Sequence, residues 1–281
     1  MKRLDVRKTY KLFVGGAFPR SESGRSYQPS GAEGILVARG SRKDLRDAVV
    51  AARKAQPGWA GKTGYNRGQI LYRIAEVLET RADSFATEIV ACTKASAAAA
   101  RREVAQAVDL ITWYAGACDK VQSLLGSQNA VAGPFFNFST VEASGVVGVV
   151  APDAPSLLGL VGCMMPVLVG GNTVVALCSE SAPFPGLTFA EALAVSDVPG
   201  GVVNLLSGLK TELLGHFASH REIDALLIAG RPREDLGKAA ADSVKRVRYV
   251  GDAGKQWPKG GSMLWVEPFV EVKTFWHPVA Y

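Results

Sequence analysis

The chain has 281 residues, 48% of them apolar and 21% charged, with a formal net charge of +6. This is the balance of an ordinary soluble protein, long enough for one large domain or two small ones. Lys and Arg are dispersed and show no interleaving with aromatic residues, so nucleic acid is not an expected partner.

Residues 11 to 38 read as short strands and turns: Lys11-Leu12-Phe13-Val14 ends in Gly15-Gly16, and Ser21-Glu22-Ser23-Gly24 carries turn chemistry. Helices follow. Asp44 to Gln56 places Leu45, Ala48, Val49 and Ala52 on one face, and Asn66 to Thr80 does the same with Ile70, Ile74, Val77 and Leu78. Ser84 to Thr93 predicts a third helix. The Ala-rich stretch from about Ala95 to Leu124 predicts one long continuous helix, completing a helical layer.

From Gly145 the pattern alternates. Strands are predicted at Val146–Val150, Thr173–Leu177, Val202–Leu206, Ala225–Ile228 and Val247–Val250, with helices at about 156–168, 185–195, 210–218 and 233–244. Short apolar runs separated by helices specify an α/β fold with a doubly wound, parallel, Rossmann-like sheet, because each crossover needs a helix to return the chain in the same direction. Ligands of such sheets bind at the carboxyl ends of the strands. The apolar stretch from Ala154 to Gly171 is long enough to suggest a membrane span, but Pro155, Pro166 and its glycines favour a buried helix between strands, and no membrane association is expected. Asp252 to Gly261 reads as a surface connection.

Cys92, Cys118, Cys163 and Cys178 show no CxxC spacing, which suits reduced, buried thiols. His216 and His220 are four apart on a predicted helix, but nothing between or near them completes a ligand set, so they read as surface histidines and no metal is expected. Met1-Lys2-Arg3 is followed by charged residues and not by an apolar run, so no secretory signal and a cytoplasmic location are expected.

Five segments, in order, resemble the aldehyde dehydrogenase superfamily. They are Leu12-Phe13-Val14-Gly15-Gly16, Ala51-Ala52-Arg53-Lys54-Ala55 with Gly58-Trp59, Gly170-Gly171-Asn172-Thr173-Val174-Val175, Val198-Pro199-Gly200-Gly201-Val202-Val203-Asn204, and the terminal run Phe269 to Trp276. The resemblance implies a Rossmann-like, dinucleotide-binding-type domain from residues 1–133 and 145–251. It also implies a β oligomerisation arm from residues 134–144 and 262–281. The catalytic domain that the family carries between the fifth strand and the terminal strand has no counterpart. The chain is similar in this to the downstream, catalytically dead module of two-module members of the superfamily.

The residues that the family uses for chemistry are replaced one by one. Where the family carries an oxyanion-donating Asn after the first parallel strand, this chain has Ala154 in Pro152-Asp153-Ala154-Pro155-Ser156. Val250 stands where the family has its general base, and no cysteine follows Cys178 to act as nucleophile. No catalytic residue is therefore assigned. For cofactor binding, Glu180 keeps the place of a ribose-binding carboxylate, but Leu177 replaces its lysine partner. Gly230 and Arg231 stand at the turn facing the family's pyrophosphate, where Pro232 lacks an N–H and Arg233 adds a charge. Each of these has a plainer reading: Glu180 as a cap or turn residue, Cys178 as packing, Arg231 and Arg233 as a solvated helix start.

The assembly parts persist. Phe135 to Glu142 resembles the family's arm strand, and Phe136, Phe138, Val270, Val272, Phe275 and Trp276 are the expected oligomerisation residues. The leading expectation is a non-catalytic subunit, without a cofactor of its own, that docks on a full-length NAD(P)-dependent aldehyde dehydrogenase. A homodimer is the other assembly considered. The alternatives are a stand-alone NAD(H)-binding protein using Glu180 and the Gly230 turn, and an oxidoreductase acting on aldehydes with relocated active-site residues.

Overall fold

The computed structural model describes residues 8–30, 34–251 and 260–279. The expectation about a secretory signal and most of the Asp252 to Gly261 connection lie outside the described residues. A two-stranded ribbon, β1 (Ser26–Tyr27) and β2 (Val37–Ala38), precedes four helices: α1 (Arg42–Ala60), α2 (Gly64–Thr80), α3 (Ala82–Thr93) and α4 (Ala97–Ala117). Ser41 starts α1 through a capping box, its hydroxyl accepting from the Lys43 and Asp44 N–H groups while the Asp44 carboxylate accepts from the Ser41 N–H at 2.8 Å. The predicted face of Leu45, Ala48, Val49 and Ala52 is buried.

The predicted helix from Ala95 to Leu124 is not continuous. It stops at Ala117, tightens into a 3₁₀ turn at Cys118–Lys120 and resumes as the short α5 (Val121–Leu125). Two contacts explain the break. Gly64 lies so close to the Cys118 carbonyl that a Cβ there would meet its oxygen at 2.4 Å. The Gln122 amide also bonds both backbone groups of Val141, at 2.7 and 3.0 Å, turning the chain toward the arm.

Next come β3 (Ser127–Asn129), β4 (Phe135–Ala143), β5 (Val146–Val150), α6 (Ser156–Val169), β6 (Thr173–Leu177) and α7 (Phe184–Ala194). They are followed by β7 (Val203–Leu206), α8 (Lys210–Ser219), β8 (Ala225–Ala229), α9 (Glu234–Ala241) and β9 (Arg246–Val250). Strands β5 to β9 form the predicted parallel sheet in the order β7-β6-β5-β8-β9, so the direction of winding reverses at β5. Its two faces are buried separately. Val146, Val175, Leu206 and Leu226 pack with Leu45 and Val49 of α1 and Leu213 and Phe217 of α8. Val147, Val174, Val203 and Leu227 pack on the other face, in the core shared with α2, α3, α4, α6 and α7.

The asparagines of the Gly-Asn-Thr and Val-Val-Asn motifs are structural fasteners. Fully buried Asn172 accepts from the Gly145 N–H at 2.8 Å and donates to the carbonyls of Val167 and Phe269, at 3.1 and 2.8 Å. Asn204 likewise accepts from Gly15 at 2.9 Å and donates to Gly201 and Val174. Gly201 sits at φ +92° against the Ala51 carbonyl, where a Cβ would approach within 2.5 Å, so only glycine fits. The Trp59 indole donates to the Leu168 carbonyl at 3.1 Å and docks α1 on α6.

The last strand, β10 (Val270–Pro278), pairs antiparallel with β4 from Val270↔Ala143 to Pro278↔Phe135, in a sheet ordered β10-β4-β3. This sheet takes in Ser127–Asn129, which precede residue 134. Residues 262 to 269, read above as arm, belong to the core instead. Their 3₁₀ turns Met263–Trp265 and Glu267–Phe269 roof the surface over α6, with Val266 and Phe269 buried and the Tyr114 hydroxyl donating to the Ser262 carbonyl at 3.4 Å. No helix among the described residues is long and apolar enough to cross a membrane.

Candidate functional site

The crevice at the carboxyl ends of β5, β6 and β7 is laced by its own side chains. Asp153 follows β5; its Oδ1 accepts from the Glu180 N–H at 2.8 Å and the Ser181 N–H at 3.4 Å, and its Oδ2 pairs with the Lys210 ammonium at 2.8 Å. Burial works against the Asp153 charge, yet Lys210 and these N–H groups hold its carboxyl below the usual aspartate range. Glu180, just after β6, turns its Oε2 to the backbone N–H of Lys210 at 2.7 Å, the first residue of α8. Ser179 donates to the Asp153 carbonyl at 3.1 Å, and the Tyr27 hydroxyl closes over the Glu180 carbonyl at 3.2 Å.

Glu180 stands as a carboxylate at the start of α8, a favourable place beside the positive end of that helix. Leu177 is fully buried in the sheet core and does not face the crevice. At the β8–α9 turn, Gly230 adopts φ +148° and its N–H is already given to the Val250 carbonyl at 2.8 Å. Arg231 lies exposed on the same turn, while Arg233 forks onto Asp235, at 3.1 and 2.6 Å, over the first turn of α9. Of the three residues singled out for cofactor binding, the Glu180 carboxylate thus meets the start of α8 and the Gly230 N–H meets β9, while Arg231 is exposed on the β8–α9 turn.

Asp153 and Lys210 were not singled out as a pair from sequence. The available signal was their position, since Asp153 lies just past β5 and Lys210 opens the helix that follows β7, both at the carboxyl ends of parallel strands. All four thiols are buried, and burial is the first cause raising each of them. Burial pushes Cys178 up to about 12 and raises Cys163 further. His220 is lowered, first by burial and then by Lys245, and its Nδ1 accepts from the Glu222 N–H at 3.2 Å. Among the described residues no three His, Cys, Asp or Glu side chains gather as a metal would require.

The arm presents apolar groups on both faces. Phe136, Phe138 and Phe275 share one face, with Phe138 and Phe275 stacked at 5.2 Å, while Trp276 and Val272 lie on the other, Trp276 edge-on to Phe135 at 5.8 Å. Val272 and Trp276 are 66% and 60% exposed, whereas Val270 is only 4% exposed. Val270 must be withdrawn from the arm surface: it sits at the root of β10, against Gly170, in the chain's own core.

A doubly wound parallel sheet with helices on both faces and a projecting antiparallel arm define an α/β scaffold of the dinucleotide-binding type. The chain belongs to the aldehyde dehydrogenase family, whose model matches residues 19–249. It is 32% identical over 254 residues to aldehyde dehydrogenase 1 of Tanacetum cinerariifolium, spanning 86% of this chain and 50% of that protein. With an aldehyde dehydrogenase of Aspergillus niger the identity is 30% over 244 residues, 84% of this chain and 48% of the other. The NAD+ complex of aldehyde dehydrogenase from Bacillus cereus has the same fold, with a TM-score of 0.81 at 24% identity over 86% of this chain and 50% of that one. The chain spans about half the length of these relatives.

Proposed function

We propose that this chain is a non-catalytic aldehyde-dehydrogenase-like subunit that assembles, through its arm, with a complete NAD(P)-dependent aldehyde dehydrogenase. The observation that carries this reading is the short return from sheet to arm. Residues 251–269 alone separate β9 from β10, yet β10 lies in full register on β4. A catalytic domain inserted between those strands in relatives would leave this arrangement if removed, like the catalytically dead module of two-module family members.

The local chemistry agrees. Ala154 has no donor for an oxyanion and Val250 no proton acceptor, and Cys178, protonated and buried, offers no thiolate. We read the crevice as unsuited to NAD, because the Glu180 carboxylate and the Gly230 N–H are both engaged within the chain. What remains is an edge strand of nine residues with exposed aromatic groups, the kind of surface that adds to a neighbour's sheet. Four reduced thiols suit a cytoplasmic location.

The test is affinity capture of the tagged chain from its native host, with native mass measurement. A full-length aldehyde dehydrogenase recovered in fixed ratio supports the reading. Recovery of the chain alone, as a homo-oligomer, or steady aldehyde turnover by the isolated chain, sinks it.

A further inference from the structure

On the α1 and α8 side of the sheet, away from the crevice, a cavity of about 780 Å³ opens between the start of α1 and the end of α8. Arg25, Arg42, Lys43, Arg46 and Arg221 line it against a single carboxylate, Glu22. The sequence disperses these residues, and the fold gathers them. Arg42, Lys43 and Arg46 come from the first turns of α1, Arg25 precedes β1, and Arg221 follows α8.

The charge is only partly neutralised from within. Glu22 is occupied by the Ser41 hydroxyl at 2.9 Å, Lys43 and Arg46 share Asp47 at 2.7 and 3.6 Å, and Arg25 reaches Glu212 at 3.7 Å. Among the described residues, Arg42 and Arg221 have no carboxylate partner, and both are exposed. The Ser41 hydroxyl already takes the Lys43 and Asp44 N–H groups, so an anion here would be held by side chains and not by the helix end. His216 and His220 also line the cavity; His220 is lowered first by burial and then by Lys245, with Glu222 opposing and Arg42 adding to the shift.

Guanidinium forks match phosphate oxygens in pairs, and the volume lies within the range of about 300–1,000 Å³ usual for small-ligand sites. We propose that this cavity binds a small anion carrying two or more negative charges, a phosphomonoester or pyrophosphate group, with Arg42 and Arg221 as its principal holders. The site is separate from the strand-end crevice: the ten-residue α8 puts its far end roughly 15 Å from Lys210. It is also separate from the arm, so its test does not depend on the assembly proposed above. A ligand bound here would bridge the start of α1 and the end of α8.

Isothermal titration of the whole chain with inorganic pyrophosphate tests it. The expected result is saturable binding at one site, weakened by about tenfold or more in R42A/R221A with the melting temperature unchanged. A control, R73A/R101A, removes two exposed arginines elsewhere and should leave binding unaltered. Absence of binding at millimolar pyrophosphate overturns the proposal. So does an equal loss in the control, which would mean diffuse surface charge. Tighter, Arg42-dependent binding of a single-stranded oligonucleotide than of pyrophosphate would overturn the assignment to a small ligand.

Discussion

Glu180 and Lys210 are joined twice: directly, where the Glu180 carboxylate accepts the Lys210 backbone N–H at 2.7 Å, and through Asp153, which takes the Glu180 N–H and the Lys210 ammonium, each at 2.8 Å. The ends of three strands are stitched by these contacts. They lie where a doubly wound fold usually receives its ligand.

Glu180→Ala should therefore act on stability and not on cofactor binding. Loss of a helix-terminal acceptor costs about 1 kcal/mol, read as a lowered denaturation midpoint. Calorimetry with NAD+ should give the same trace for both proteins. A binding signal lost only in the variant would mean that the carboxylate faces a ribose.

Asp153 supplies an acid-sensitive contribution. Its carboxyl is held below the usual aspartate range, so the folded state binds its proton less readily than the unfolded chain does. The stability it contributes is complete above the ordinary aspartate pKa and disappears as pH falls through its own lower value. The difference between wild type and Asp153→Asn in urea melts should be largest near neutrality and vanish in strong acid.

At alkaline pH the sign reverses. Burial pushes Cys92, Cys118 and Cys178 up to about 12, so these thiols keep their protons in the folded chain while the unfolded chain releases them. The native state then binds more protons, and stability must fall as pH rises past the ordinary thiol range. Denaturation midpoints at successive pH values should decline steadily there. A flat profile would contradict the burial of the thiols.

Asn172→Ala leaves the Gly145 N–H and the Phe269 and Val167 carbonyls without their partner. The expected loss is about 3 kcal/mol or more, from several buried groups at once. Hydrogen exchange in β10 should accelerate more than in β6, because the arm loses its anchor.

Charged substitutions on the arm separate assembly from folding. Val272→Asp and Phe275→Asp lie on opposite faces of β10. If the arm docks as proposed, each should abolish recovery of a full-length dehydrogenase, while the isolated chain loses less than about 0.5 kcal/mol with Val272→Asp and about 1 kcal/mol with Phe275→Asp, which gives up its stacking on Phe138. Undiminished capture by both variants would exclude the arm as the docking surface.

Much of the fold was legible because it rests on local pattern. The apolar runs at Val146, Thr173 and Ala225 are too short for helices and too apolar for an exposed sheet, and all became central strands. The asparagine motifs were legible as family signatures, but their role as fasteners was not, since the Asn172 and Phe269 partners lie far apart in sequence. Helical periodicity could not foresee the break at Cys118, which depends on Gly64 approaching from another helix. Strand alternation likewise put Val270 with the exposed arm residues, because pattern alone does not tell where a strand leaves the core. The Asp153–Lys210 pair was hidden for the same reason: it exists only once separate strand ends meet.

The root of the arm is held from several sides. The Phe269 carbonyl accepts from Asn172 and from the Ser144 N–H, while Arg246 of β9 donates to the Val270 carbonyl at 3.1 Å and pairs with Glu271. Such a strand does not wait for a partner to give it direction; its angle of projection is set before any encounter. Under the proposed assembly, little freedom would remain to be surrendered on docking, which would favour tight association. In the assembly proposed above, the same stiffness would make the arm a gauge, admitting a neighbour whose sheet edge arrives at the matching angle and refusing one that is equally apolar but misaligned.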